Sequence, residues 1–177
     1  MNQKIELNQS KKFPWGAAMI FAVVSLMVVV YSFATVGTEL GIDSDMMPVA
    51  GIFGLIGGLI TAIIDASLQY VFTKFPTQWI SKEKNVYKYD IWSAIFYSSA
   101  ITLVLNLLIQ QFNVQENFIV SVLISLVTTG LFLFFYFSGE EKKRNVKKAI
   151  TIVQIVWLVL GLIISIAALM FVNNLGV

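Results

Sequence analysis

Five runs of roughly twenty apolar residues, separated by short polar stretches, constrain this chain more than any other feature of its sequence. They cover residues 14–36, 48–72, 91–112, 118–138 and 149–172. A helix rises about 1.5 Å per residue, so each run matches the ~30 Å hydrocarbon layer of a bilayer. Charged residues make up only 12% of the chain and hydrophobic ones 58%, whereas a soluble domain carries about a quarter charged residues. The expected fold is all-α: a polytopic integral membrane protein with about five transmembrane helices in one domain, residues 1–177. The first run, 23 residues long with no small-x-small cleavage site after it, reads as a retained span and not as a signal peptide.

The basic residues give the orientation. Three lie in the N-terminal segment 1–13 (Lys4, Lys11, Lys12), four in 73–90 (Lys74, Lys82, Lys84, Lys88) and five in 139–148 (Lys142, Lys143, Arg144, Lys147, Lys148), which accounts for all twelve. The alternate connections carry only acids, Glu39, Asp43, Asp45 and Glu116. Basic segments resist translocation, so these three are expected in the cytoplasm, with the N-terminus inside and the C-terminus outside. Pro14, Pro48 and Pro76 are expected at span starts or in a loop, where a missing amide does little harm. Trp15, Trp79 and Trp92 flank basic segments, as interfacial indoles do. The plasma membrane of a bacterium is the expected location.

The second run carries two stripes. Small residues recur at Ala50, Gly54, Gly58, Ala62 and Ala66, and four-residue spacing places them on one helix face, where another backbone can approach closely. Such a face serves either packing within the chain's own bundle or docking onto a membrane-protein partner or second copy. Beside it lie Thr61, Asp65 and Gln69, also four apart. Asp65 is the one ionisable residue within any expected span, and an aspartate at mid-membrane costs roughly 2.5–3.5 kcal/mol to insert. Two meanings follow from its depth. If the hydrocarbon ends near Ile64, Asp65 is an interfacial carboxylate. If the span continues to Phe72, it belongs to a polar pocket or ion path.

Other spans carry polar stripes as well: Ser98, Thr102, Asn106 and Gln110 on the third, and Ser121, Ser125, Thr128 and Thr129 on the fourth. These serve as interhelical hydrogen-bonding groups or as the lining of a solute path. Asp65, Thr61, Gln69 and Asn106 form the candidate polar site.

The segment from Lys74 to Lys88 mixes lysines with Phe75, Trp79 and Tyr87, and reads as a short interfacial helix starting at Pro76. It and the cluster Lys142 to Lys148 are expected to meet anionic headgroups. Nucleic acid is not an expected partner for loops this short.

Cysteine and histidine are absent, which removes thiol nucleophiles, imidazole bases and ordinary zinc or haem ligation. No phosphate-binding glycine loop or serine elbow occurs. Asp65, Asp90 and Glu140 are carboxylates that catalysis would need, but no spacing assembles them. The acids Glu39, Asp43 and Asp45 do not match a twelve-residue calcium loop. The chain is therefore expected to be non-enzymatic, without catalytic, cofactor or metal residues. Its expected role is an accessory or interaction subunit of a membrane complex; the alternative is a small-solute carrier or channel, proton-linked through Asp65.

Overall fold

The computed structural model describes residues 12–39, 47–112 and 117–174. Asp43, Asp45 and Glu116, the side chain of Glu39 and the surroundings of Ala50 lie outside the described residues. Within these limits the chain forms five helices: α1 (Trp15–Glu39), α2 (Met47–Ser81), α3 (Lys88–Gln111), α4 (Phe118–Ser138) and α5 (Arg144–Asn174). All five are long and apolar enough to cross a membrane. No strand occurs among the described residues.

The helix count matches the five apolar runs, but four helices, all except α4, begin or end beyond them. The largest difference is in α2, which does not stop at residue 72. It continues through Pro76 to Ser81 as one 35-residue helix, so no separate interfacial helix starts at Pro76 and this proline lies in neither a loop nor a span start. Tertiary packing keeps that last stretch helical. Thr73, Thr77 and Ser81, four residues apart, are 1%, 0% and 6% exposed, and Gln154 of α5 donates to the Thr73 hydroxyl at 3.3 Å. In the same way α3 starts at Lys88 and α5 at Arg144, inside segments that by composition alone look like basic loops.

Local chemistry sets the ends. After Ser81 the chain turns at Lys82 with φ 55°. The Asn85 side chain then accepts from the Tyr87 amide at 3.1 Å, an Asx turn. Tyr87 itself takes a left-handed φ of 54° ahead of α3. Asp90 occupies the first turn of α3, where a negative charge complements the helix dipole. Asn117 caps α4 by accepting from the Ile119 amide at 2.9 Å, which satisfies one of the four unpaired amides of a helix start.

The helices form a ring. α3 packs between α1 and α4, α2 packs between α1 and α5, α4 touches α5, and α2 meets α3 across the interior. Consecutive crossings bring the segments 82–87 and 139–143 to one end, hereafter the basic end, where Lys143 pairs with Glu83 at 3.0 Å. The tightest packing is also there: Val86, Ile91, Ala94, Ile95, Tyr136, Val146 and Ile150 are all at most 2% exposed. Toward the other end the helices are largely exposed, with Phe53, Ile56, Ile119, Leu123, Ile163 and Ile164 each more than half accessible. On a soluble protein so much exposed apolar area would be a liability. On a bundle surrounded by lipid it is the expected exterior.

Candidate functional site: a polar cavity between the helices

The two stripes of α2 have separate destinations. The small-residue face meets α1. A Cβ placed on Gly58 would lie 2.7 Å from Val29 Cγ2, and one on Gly51 3.3 Å from the Phe33 ring. Gly54 also faces that ring, 3.6 Å away. Ala62 is half-buried and Ala66 buried farther along the same seam. Of the two uses open to this face, the described part of it packs within the chain's own bundle, and the glycines permit the close approach that lipid-embedded helices rely on.

The polar stripe lines an open cavity of about 460 Å³ in which Thr61 and Asp65 stay exposed and Gln69 is half-buried. Thr61, Asp65 and Gln69 of α2 face it together with Ser25 of α1, Ser99 and Thr102 of α3, and Thr128 of α4. Its apolar wall is formed by residues such as Phe21, Val29 and Leu103. Asn106 is not part of it; that side chain is exposed, farther along α3. The cavity is within the 300–1,000 Å³ range of small-molecule sites and has their composition, mostly apolar with a few convergent polar groups.

Asp65 stands near the middle of the 35-residue α2, about 24 Å of helix axis before Ser81. Exposed apolar side chains flank it in both directions, Ile60 and Ile64 before it, Leu68, Val71, Phe72 and Phe75 after it. The apolar surface therefore does not end at Ile64. No Lys or Arg is among the residues lining the cavity, so the carboxylate is its one formal charge.

The hydroxyls differ in how they are satisfied. Thr102 and Thr128 share a hydrogen bond of 2.8 Å across α3 and α4, and Thr128 also donates to the Ile124 carbonyl at 2.8 Å. Ser25 is 4% exposed, and its Oγ has no hydrogen-bond partner. A buried hydroxyl without a partner costs about 1–3 kcal/mol, and this one belongs to a residue of the cavity wall.

Sequence periodicity selected Ser98 on α3, but Ser98 is fully buried and donates to the Ala94 carbonyl at 2.7 Å. Its neighbour Ser99 faces the cavity. Ser25 had only a weak signal, since its stripe partner Ser32 is seven residues away. A stronger signal was available on α2. The stripe Thr61, Asp65, Gln69 continues at the same spacing through Thr73, Thr77 and Ser81. Each four-residue step turns about 40° beyond a full circle, so the stripe winds around α2, facing the cavity at Asp65 and α5 at Thr73.

A second polar cluster lies at the basic end. Lys142 Nζ is 3.0 Å from Asp90 Oδ2, with side chains 0% and 10% exposed, and it donates to the Glu140 carbonyl at 2.9 Å. The same ammonium lies 4.5 Å from the Tyr136 ring centroid and 5.3 Å from that of Tyr87. The Tyr136 hydroxyl donates to the Val86 carbonyl at 3.1 Å. These contacts tie the α4–α5 connection to the start of α3. They bring Asp90 close to the backbone of Glu140, which no spacing foretold, but as a closed, paired unit.

Among the described residues no group of three or more Asp or Glu is placed to hold a metal ion. Compared with protein-family profiles, curated proteins and solved structures, the chain has no significant match.

Proposed function

We propose that this chain is a non-enzymatic, multi-pass protein of a bacterial plasma membrane that binds a small solute in the Asp65 cavity and carries it across the bilayer. The observation that carries this reading is the convergence of Thr61, Asp65 and Gln69 with hydroxyls from three other helices on one 460 Å³ space. An ionisable residue inside a membrane span is costly and marks a substrate, ion or proton path. With no basic residue in the lining, the chemistry that fits is a proton or a small cation. The grouping of Lys and Arg supports an N-terminus inside and a C-terminus outside, and with it a basic end on the cytoplasmic side, against anionic headgroups.

Proteoliposomes containing the purified chain test this directly. Uptake of a small monovalent cation such as ethylammonium is expected, retained in Asp65→Glu and lost in Asp65→Asn. Undiminished uptake by Asp65→Asn would remove Asp65 from the path.

A second reading, an accessory subunit of a larger membrane complex, draws on a different surface. From Ile155 to Ala167 of α5 every residue except Leu158 and Leu162 is exposed, with Gly161 and Ser165 four apart on that stretch. Affinity capture in mild detergent distinguishes it: a stoichiometric partner released by bulky substitutions at Gly161 supports a docking role, and recovery of the chain alone opposes it.

A further inference from the structure

A second cavity of about 420 Å³ adjoins the polar one. The two share four lining residues, Phe21, Ser25, Ala62 and Ala66, so they are separated by little more than one layer of side chains at the α1–α2 seam. In character they differ. The second has no charged lining residue and is walled by aromatic side chains, among them Trp15, Trp92 and Phe96.

These aromatics continue as a row of contacts. Tyr70 and Trp92 stack with centroids 4.4 Å apart and planes 13° from parallel. Trp92 stacks on Phe96 at 5.3 Å, and Phe96 meets Phe21 at 5.5 Å. The row leads from Tyr70, beneath the Lys74 ammonium 5.4 Å away, to Phe21, which lines both cavities. Aromatic faces attract cations and bury apolar groups equally well. At its Phe21 end the row reaches the polar cavity that Asp65 also lines, and Ser25, whose buried Oγ is unpartnered, lines both spaces.

We infer that the ligand of this protein is an amphiphilic organic cation, its charged group beside Asp65 and its apolar body in the aromatic cavity between α1, α2 and α3. The inference rests on the solute-binding reading above and specifies the class of solute. A bare alkali ion or small ammonium would leave the aromatic cavity unused. An anionic amphiphile would meet the Asp65 carboxylate with no basic residue in either lining to offset it. A neutral one would leave that carboxylate unpaired. Entry from the lipid side, past Met19 and Ile63 on the cavity rim, spares such a ligand a passage through water.

Equilibrium dialysis of the full chain in mild detergent tests this, with tetraphenylphosphonium as the amphiphilic cation, ethylammonium as the small cation and triphenylphosphine oxide as the uncharged body. Tetraphenylphosphonium is expected to bind at least about tenfold more tightly than either of the others. Asp65→Asn should weaken it by about tenfold or more. Phe21→Ala should weaken it by about fivefold or more, through lost apolar contact, and weaken ethylammonium clearly less. Trp92→Tyr, which keeps the stack, serves as the variant of intact fold and should change affinity less than Phe21→Ala. Equal binding of the two cations, with Phe21→Ala affecting neither, would overturn the inference while leaving the cation-binding role of Asp65 intact. Binding of neither cation would defeat both.

Discussion

The indole N–H of Trp157 donates to the main-chain carbonyl of Phe72 at 3.3 Å. In an unbroken helix that carbonyl would accept from the amide four residues later, but residue 76 is proline and has no N–H. Within lipid a freed carbonyl has no water to turn to, so a neighbouring helix has to supply the donor. Trp157 of α5 does so while packing edge-on against the Phe72 ring at 5.2 Å. The two changes should therefore be coupled. Trp157→Phe is expected to cost about 0.6 kcal/mol, at most about 1.7, when Pro76 is present, and close to nothing in a Pro76→Ala background. A double-mutant cycle on reversible unfolding in mixed micelles measures the difference; equal costs in both backgrounds would contradict the account.

Gly58 has less free space against α1 than Gly51 or Gly54. Because a Cβ there would lie 2.7 Å from a methyl of Val29, and valine is stiff about χ1, Gly58→Ala should destabilise the bundle by about 1–3 kcal/mol. Adding Val29→Ala makes room and should recover most of the loss. Thermal unfolding of the single and double variants decides it.

The buried pair at the basic end gives a larger effect. Lys142→Met takes the ammonium away from the enclosed Asp90 carboxylate, for an expected loss of about 3–5 kcal/mol. Replacing both residues, Asp90→Leu with Lys142→Met, should restore much of it, since two matched apolar side chains leave no buried charge. Gly139→Ala should also be costly, because its Cβ would fall 2.6 Å from Asp90 Oδ2. Denaturant titrations of the three variants against the parent chain provide the comparison.

Ser25 should behave in opposite ways with and without ligand. Removing a buried hydroxyl that has no partner leaves the empty protein as stable as before or slightly more so, by up to about 1 kcal/mol. Ser25→Ala should, however, reduce the rise in Tm produced by saturating tetraphenylphosphonium. A large loss of stability without ligand would show instead that Ser25 is part of the helix packing.

A cysteine-free chain permits a direct test of cavity access. Thr61→Cys and Thr102→Cys should react with a small water-soluble thiol reagent and be protected by bound cation, whereas Ile64→Cys, on the exposed apolar face of α2, should react slowly and independently of ligand. Equal reactivity at all three would mean that no aqueous cavity exists there.

Much of this fold was legible before any coordinates, because bilayer thickness sets the length of an apolar run and the run length sets the helix. Five runs became five helices, and the stripes of α2 were visible from their four-residue spacing. What spacing could not reveal is which neighbour each face meets. The small-residue face, open by sequence to either use, meets Val29 and Phe33 of α1, whereas Asn106, chosen by the same periodicity as Thr102, lies outside the cavity. The length of α2 was misjudged for a related reason: a proline and several lysines after Phe72 look like a loop to any local measure. Thr73, Thr77 and Ser81 stay helical because tertiary packing buries them, Thr73 against Gln154 of α5, and because Trp157 supplies the donor that Pro76 lacks.

By itself, then, the sequence determined the number of helices, the grouping of basic residues at alternate connections and the presence of one carboxylate within the apolar runs, all of which follow from solvation and helical period. Tertiary structure alone decided that Asp65 shares a cavity with Ser25 and Thr102, that an aromatic space adjoins it, and that Asp90 is paired with Lys142. Those are contacts between residues far apart in the chain, set by how helices pack against one another, and no local rule of spacing encodes them.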